Sequence, residues 1–181
     1  AFGMGAIKIL AKDDVNKNVF ISPTSIALAL SMVYNGAAGQ TKTAMQETLR
    51  FQGLDISTID KESLGLANLL KNPDVGVELS IANSVWARTG FSFRQTFLDT
   101  VVSYFSAKVS TLDFSKPTAA GVINAWVSAN TKGKIPSIIE SPISDNVVMY
   151  LINAVYFKGS WTDAFDKKLT ENKTFTNSLC V

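Results

Sequence analysis

The sequence has no histidine in 181 residues and a single cysteine, Cys180. Without histidine there is no His-based acid–base catalysis, no Ser–His or Cys–His pair and no His-ligated metal. One cysteine allows neither an intrachain disulfide nor a thiolate zinc site. No GxGxxG, P-loop or GxSxG sequence occurs. The carboxylates of Asp13 and Asp14 are adjacent, so on a regular element they point apart. The chain is therefore expected not to be an enzyme and to need no cofactor or metal. A strong charge is also missing. A formal net charge of +2 gives no reason to expect nucleic acid or a membrane surface as partner. No apolar run approaches the roughly 20 residues that span a bilayer. Ala1–Leu10 lacks the basic start and cleavage pattern of a signal peptide and reads as the tail of a helix cut at its front.

What is present is a globular composition. Hydrophobic residues make up 46% and charged residues 18%, enough apolar material for one domain with a real core. The most informative stretch is Val147–Trp161, VVMYLINAVYFKGSW. Its odd positions carry Val147, Met149, Leu151, Asn153, Val155 and Phe157. Its even positions carry Val148, Tyr150, Ile152, Ala154 and Tyr156. Both faces are apolar and rich in β-branched and aromatic residues, which predicts a strand covered on both sides and closed by Lys158-Gly159. A buried helix is the competing reading of so short a run. Asn153 breaks the pattern. A buried carboxamide carries two donors and two acceptor sites, so Asn153 is expected to meet polar partners from elsewhere in the chain.

Upstream, Ala1–Ala11 reads as a helix with Ile7 and Leu10 on one face. Val19–Ile21 reads as a short apolar strand. Ser22-Pro23 then starts a helix, with a hydroxyl at the N-cap and proline at the first helical position. That helix runs to about Asn35 and is apolar nearly all round, so it is expected to be central. Capping accounts for Ser22; Ser25, one turn further in, is placed to bond something in the core. Thr41 is expected to cap a helix over Lys42–Phe51, and Ile59–Leu70 is another. Glu78–Arg88 alternates, with Leu79, Ile81, Asn83 and Val85 opposed to Ser80, Ala82, Ser84 and Trp86, a small face suited to something lying across it. A helix over Phe93–Phe105 leads to a second alternating strand, Ala107–Phe114. Thr118–Thr131 reads as an amphipathic helix with Val122, Trp126 and Val127 inward. Ile135–Asp145 returns the chain to the doubly apolar strand, and a charged, hairpin-like segment follows Trp161. Asn172-Lys173-Thr174 is a glycosylation sequon.

Four stretches taken together resemble the serpin family. They are NVFISPTSIALALSMVYNGAAGQT (Asn18–Thr41), LSIANSVWA (Leu79–Ala87), INAWVSANTKGKI (Ile123–Ile135) and LINAVYFKGSWTDAFD (Leu151–Asp166). They stand in the family's order with similar gaps and cover nearly the whole chain. The resemblance implies an α+β fold, with helices packed on a large mixed β-sheet of which residues 1–181 form only the N-terminal portion of a single domain. It implies a shutter at the sheet's centre formed by Asn18, Phe20, Ser22, Ser25 and Asn153. It places Trp161 at the breach and Leu151, Val155 and Phe157 on the strand beside which the sheet opens. It lays the helix bearing Trp126 across the sheet's face. Lys42–Arg50 resembles the helix that binds glycosaminoglycans in some members; with two cations here, that activity is not expected.

The activity implied is suicide-substrate inhibition of serine or cysteine proteases. The protease cleaves a reactive-centre loop, and the cleaved loop inserts beside residues 147–158 with the acyl-enzyme attached. The expected partners are thus a target serine protease and, because the loop and the rest of the sheet have no counterpart here, a second polypeptide that supplies the C-terminal part of the fold. The alternative is a non-inhibitory serpin acting as carrier, chaperone or storage protein. An extracellular setting is expected, where Asn172 would be open to glycosylation.

Overall fold

The computed structural model describes residues 2–13, 19–71 and 74–174. Six helices and three strands occur among them: α1 (Phe2–Asp13), α2 (Pro23–Gly36), α3 (Gly39–Leu49), α4 (Ile56–Leu70), β1 (Val77–Arg88), α5 (Gln95–Phe105), β2 (Lys108–Leu112), α6 (Thr118–Asn130) and β3 (Met149–Gly159). A short 3-10 turn, Lys167–Leu169, lies near the end. The strands form one mixed sheet in the order β2-β1-β3. β1 and β2 are parallel and are joined by α5, the crossover that a parallel pair requires. β3 runs antiparallel to β1 along its whole length, from Val77 opposite Gly159 to Ala87 opposite Met149.

That register sorts the side chains onto two faces. On one face Trp86 and Ile152 pack under α6, against Ala119, Ala120, Ile123 and Val127, with Phe114 and Ile143 closing the cluster. The small alternating face of β1 is thus the one a helix crosses. Trp126 of α6 meets Trp86 edge to face at 6.1 Å. On the opposite face Val85 packs with Met32 of α2 and with Val101 and Phe105 of α5; Met149 and Leu151 of β3 lie against them. The sheet is the middle layer, and no face of it could be stable bare.

Several sequence expectations change in detail. The caps of α2 follow the rule, with Ser22 accepting from the Ser25 amide and Pro23 opening the helix. α3 starts two residues before Thr41, with Ala38 at its N-cap and no side-chain bond there. α4 starts earlier than expected because Asp55 caps it, accepting from the Thr58 amide at 2.9 Å. The hydroxyls of Thr58 and Ser57 also donate to this carboxylate and hold its pKa well below the ordinary 3.8. Val19–Ile21 forms no strand among the described residues, since a strand exists only where its backbone is paired. On α6, Val122 is exposed, while Ala119, Ala120, Ile123 and Val127 form the buried stripe. The segment after Trp161 is exposed and makes no hairpin up to Thr174. Cys180 and Asn18 lie outside the described residues.

α4 meets α2 through a polar pair, Asn35 Nδ2 donating to Asp60 Oδ1 at 2.7 Å. Asp60 is buried, and desolvation raises its pKa above 3.8 against the opposing pull of the Asn35 bond and Lys42. A raised folded value means that the native state holds this proton more tightly than the unfolded chain. Stability is then lost as pH rises from the ordinary value through the folded one. Asp60→Asn is expected to flatten that slope, so that the melting temperature of the variant varies less than that of the parent as pH rises from the ordinary carboxylate value. Ile123→Ala should cost roughly 2–5 kcal/mol in urea denaturation, whereas Val122→Ala should move stability by less than about 0.5 kcal/mol.

Candidate functional site: the amide seam and the outer edge of the sheet

Antiparallel pairing places Asn83 of β1 directly opposite Asn153 of β3. Both side chains lie on the face that carries Val85 and Leu151, among apolar neighbours. Asn153 Nδ2 donates to Asn83 Oδ1 at 2.8 Å. Asn83 Nδ2 donates in turn to the backbone carbonyl of Phe105 at 2.9 Å. Phe105 is the last residue of α5, whose end leaves carbonyls without intrahelical partners. The two amides therefore form a seam that joins β3 to β1 and β1 to the end of α5. Asn83 is 6% exposed, so an unmade bond there could not be replaced freely by water.

Asn153 thus finds the polar partner expected of it, but the partner is Asn83. The hydroxyls of Ser22 and Ser25 bond each other at 2.9 Å. No hydrogen bond joins either serine to Asn153, although α2 packs against β3. The reason lies in the cap: Ser22 Oγ also accepts from the Ser25 amide, so the Ser25 hydroxyl is drawn toward the helix mouth. The sequence carries a signal for Asn83 too. This residue interrupts the run Leu79, Ile81, Val85 in the way that Asn153 interrupts Leu151 and Val155.

The remaining candidate residues are spread along β3 and its flanks. β3 pairs with β1 on one side and, among the described residues, with no strand on the other. Its burial falls toward the end: Ile152 and Ala154 are buried, Leu151 and Val155 half-buried, and Phe157 63% exposed. The double coverage predicted for this strand is therefore only partial: α6 on one face and α2 and α5 on the other cover its first half, and Phe157 lies beyond both clusters. Trp161 is exposed and stacks edge to face on Phe165 at 5.6 Å. Phe20 is 93% exposed and takes no part in the seam. Asn172 is exposed. On α3, Lys42 sits 5.0 Å over the Tyr34 ring, and Arg50 ends the helix in a left-handed conformation.

Two fastenings hold the chain between α6 and β3. Asn124 Oδ1 accepts from the amides of Ile138 and Ile139, and its Nδ2 donates to the Ile139 carbonyl. Arg88, at the end of β1, donates to the carbonyls of Val147 at 2.6 Å and Ser144 at 2.7 Å. Together they fix where β3 begins.

Removing either amide of the seam should cost roughly 1–3 kcal/mol. Asn83→Ala should cost more than Asn153→Ala, because it orphans both the Phe105 carbonyl and the Asn153 amide. In a double-mutant cycle the two substitutions should be non-additive by at least about 0.5 kcal/mol. Additive losses in urea denaturation would contradict the direct pairing.

A family model described as Serpin (serine protease inhibitor) matches residues 1–179. The chain is 33% identical over 182 residues to the leukocyte elastase inhibitor of Bos taurus, covering 96% of this chain and 46% of that protein. It is 34% identical over 180 residues to Iripin-1 of Ixodes ricinus, covering 97% and 46% respectively. Among solved structures, cleaved kallistatin complexed with heparin superposes with a TM-score of 0.86 at 28% identity, over 97% of this chain and 52% of that one. Thyroxine-binding globulin with thyroxine gives 0.82 at 31% identity, over 96% and 48%. The chain thus spans about half the length of the curated relatives it matches. The three-stranded mixed sheet, the helix laid across it and a match running from residue 1 to residue 179 lead to one conclusion: this chain belongs to the serpin family.

Proposed function

We propose that the protein containing this chain is a suicide-substrate inhibitor of serine or cysteine proteases, and not an enzyme. The observation that carries the reading is the outer edge of β3. It is an 11-residue strand, apolar along much of its length and at the sheet's edge among the described residues, and the backbone groups of such a flank can be satisfied by an added strand. Relatives named as inhibitors, such as leukocyte elastase inhibitor, support the same reading. In this proposal a reactive loop, cleaved by the protease, inserts beside β3 while the acyl-enzyme is still attached. The Asn83–Asn153 seam holds β3 against β1, so that the sheet parts at the outer flank of β3 and not within this unit. Ser22 and Ser25, at the mouth of α2 under the same face, and Trp161, at the far end of β3, complete the proposed shutter and breach. The part of the fold that this chain does not span would supply the loop and the neighbouring strand.

A carrier role is the second reading, favoured by the likeness to thyroxine-binding globulin. One experiment separates the two. The full-length protein, incubated with trypsin-like and chymotrypsin-like proteases, should give a complex that survives boiling in detergent and is lost when the protease nucleophile is replaced. Cleavage of the protein without such a complex would leave the carrier. The proposal also sets the protein outside the cell, where exposed Asn172 would carry a glycan. A mass shift on endoglycosidase treatment, abolished by Asn172→Gln, checks that setting.

A further inference from the structure

The apolar packing of α6 on the sheet does not reach the whole sheet. Trp86 and Ile152 anchor the helix over one half, and Thr131 marks the end of the buried stripe. Beyond it the face presents Glu78, Ser80 and Ala82 of β1 beside Ala154, Tyr156 and Lys158 of β3. The small residues there offer nothing large for a helix to grip. One side chain from the α6 end crosses this half. Lys132 Nζ pairs with the Glu78 carboxylate of β1 and lies 5.1 Å over the Tyr156 ring of β3. Tyr156 is two residues along from Lys158, the register partner of Glu78, so Lys132 touches both strands at neighbouring rungs.

The backbone adds an independent observation. Lys132 has a φ of +50°. A non-glycine residue in the left-handed region is disfavoured, and Gly133 already follows at +76° to make the turn. Glycine would relieve position 132 as well, so what lysine brings there is its side chain. Thr131 Oγ1 stabilises the same turn, donating to the Val127 carbonyl and accepting from the Ile135 amide. The turn thus aims Lys132 back over the sheet.

We propose that Lys132 is an ionic strap that fastens the C-terminal end of α6 to β1 and β3 together and makes the mobility of that corner depend on ionic strength. The strap stands on the contacts above; its consequence for inhibition rests on the proposed entry of a strand beside β3. With the strap closed, the last turn of α6 stays on the sheet and the far end of β3 stays against β1. With it released, by salt or by competition for Glu78, that end of β3 loosens first. Both partners are about half exposed, so the effect is modest, roughly two- to five-fold in local opening.

Amide hydrogen exchange on the full-length protein tests this. In low salt, Lys132→Gln and Glu78→Gln should each speed exchange about two- to five-fold in peptides covering residues 127–135 and 154–160. The double variant should do no more than either alone. Raising salt to about 0.5 M should speed the parent protein toward the variants and leave the variants unmoved. Lys158→Gln, which removes the other cation facing Glu78, should change nothing in those peptides. Additive effects, a salt response that survives in Lys132→Gln, or an equal effect from Lys158→Gln would overturn the strap. Exchange rates decide this whether or not the protein traps a protease, which the detergent-stable complex decides by itself.

Discussion

The bond between the amides of Asn153 and Asn83 is the contact on which the rest of this unit depends. It lies in the middle of the one long strand pairing, on an apolar face, and passes its second bond to the end of α5. A buried amide pair has few alternatives: shifting β3 by one residue would send Asn153 to the α6 face and leave Asn83 Oδ1 without its donor. The seam therefore pins register as well as joining strands. With register pinned, Val85 meets Leu151 and Ser84 meets Ile152, and both apolar clusters follow from that alignment.

The unit is thus asymmetric. On its inner flank β3 is held by β1, by the seam, by Arg88 at its start and by Lys132 near its end. On its outer flank it pairs with no strand among the described residues, and its exposed Phe157 leads to exposed Trp161 and Phe165. Strong inner ties beside an open outer edge direct any parting of the sheet to one line. That is the physical content of the inhibitory reading, and it needs no residue with catalytic chemistry.

Much of this was legible in the sequence because it rests on local rules. Ser22-Pro23 opened a helix where a cap followed by proline should, and the alternation of Glu78–Arg88 gave both the strand and its two faces. The doubly apolar run 147–158 gave β3. Elsewhere local rules gave way to pairing. Val19–Ile21 has strand composition but finds no strand partner among the described residues. The partner of Asn153 was set by strand register, which sequence spacing alone does not state; the signal was a second asparagine, Asn83, out of place in an apolar run. Ser25, one turn inside the helix and expected to bond something in the core, instead pairs its hydroxyl with that of Ser22 three residues away. Lys132 had no signature beyond a Lys-Gly-Lys turn, because its role depends on Glu78 and Tyr156, distant in sequence and brought together only by the sheet.

The central claim is that the outer flank of β3 receives a strand. The direct measurement is the unfolding temperature of the full-length protein before and after a single cut in its reactive loop. Severing a chain ordinarily weakens a fold, but a strand added beside β3 brings new backbone pairing and strengthens this one, so the account predicts a higher melting temperature for the cleaved form. A cleaved form that melts at the same temperature as the intact protein, or below it, would contradict the claim.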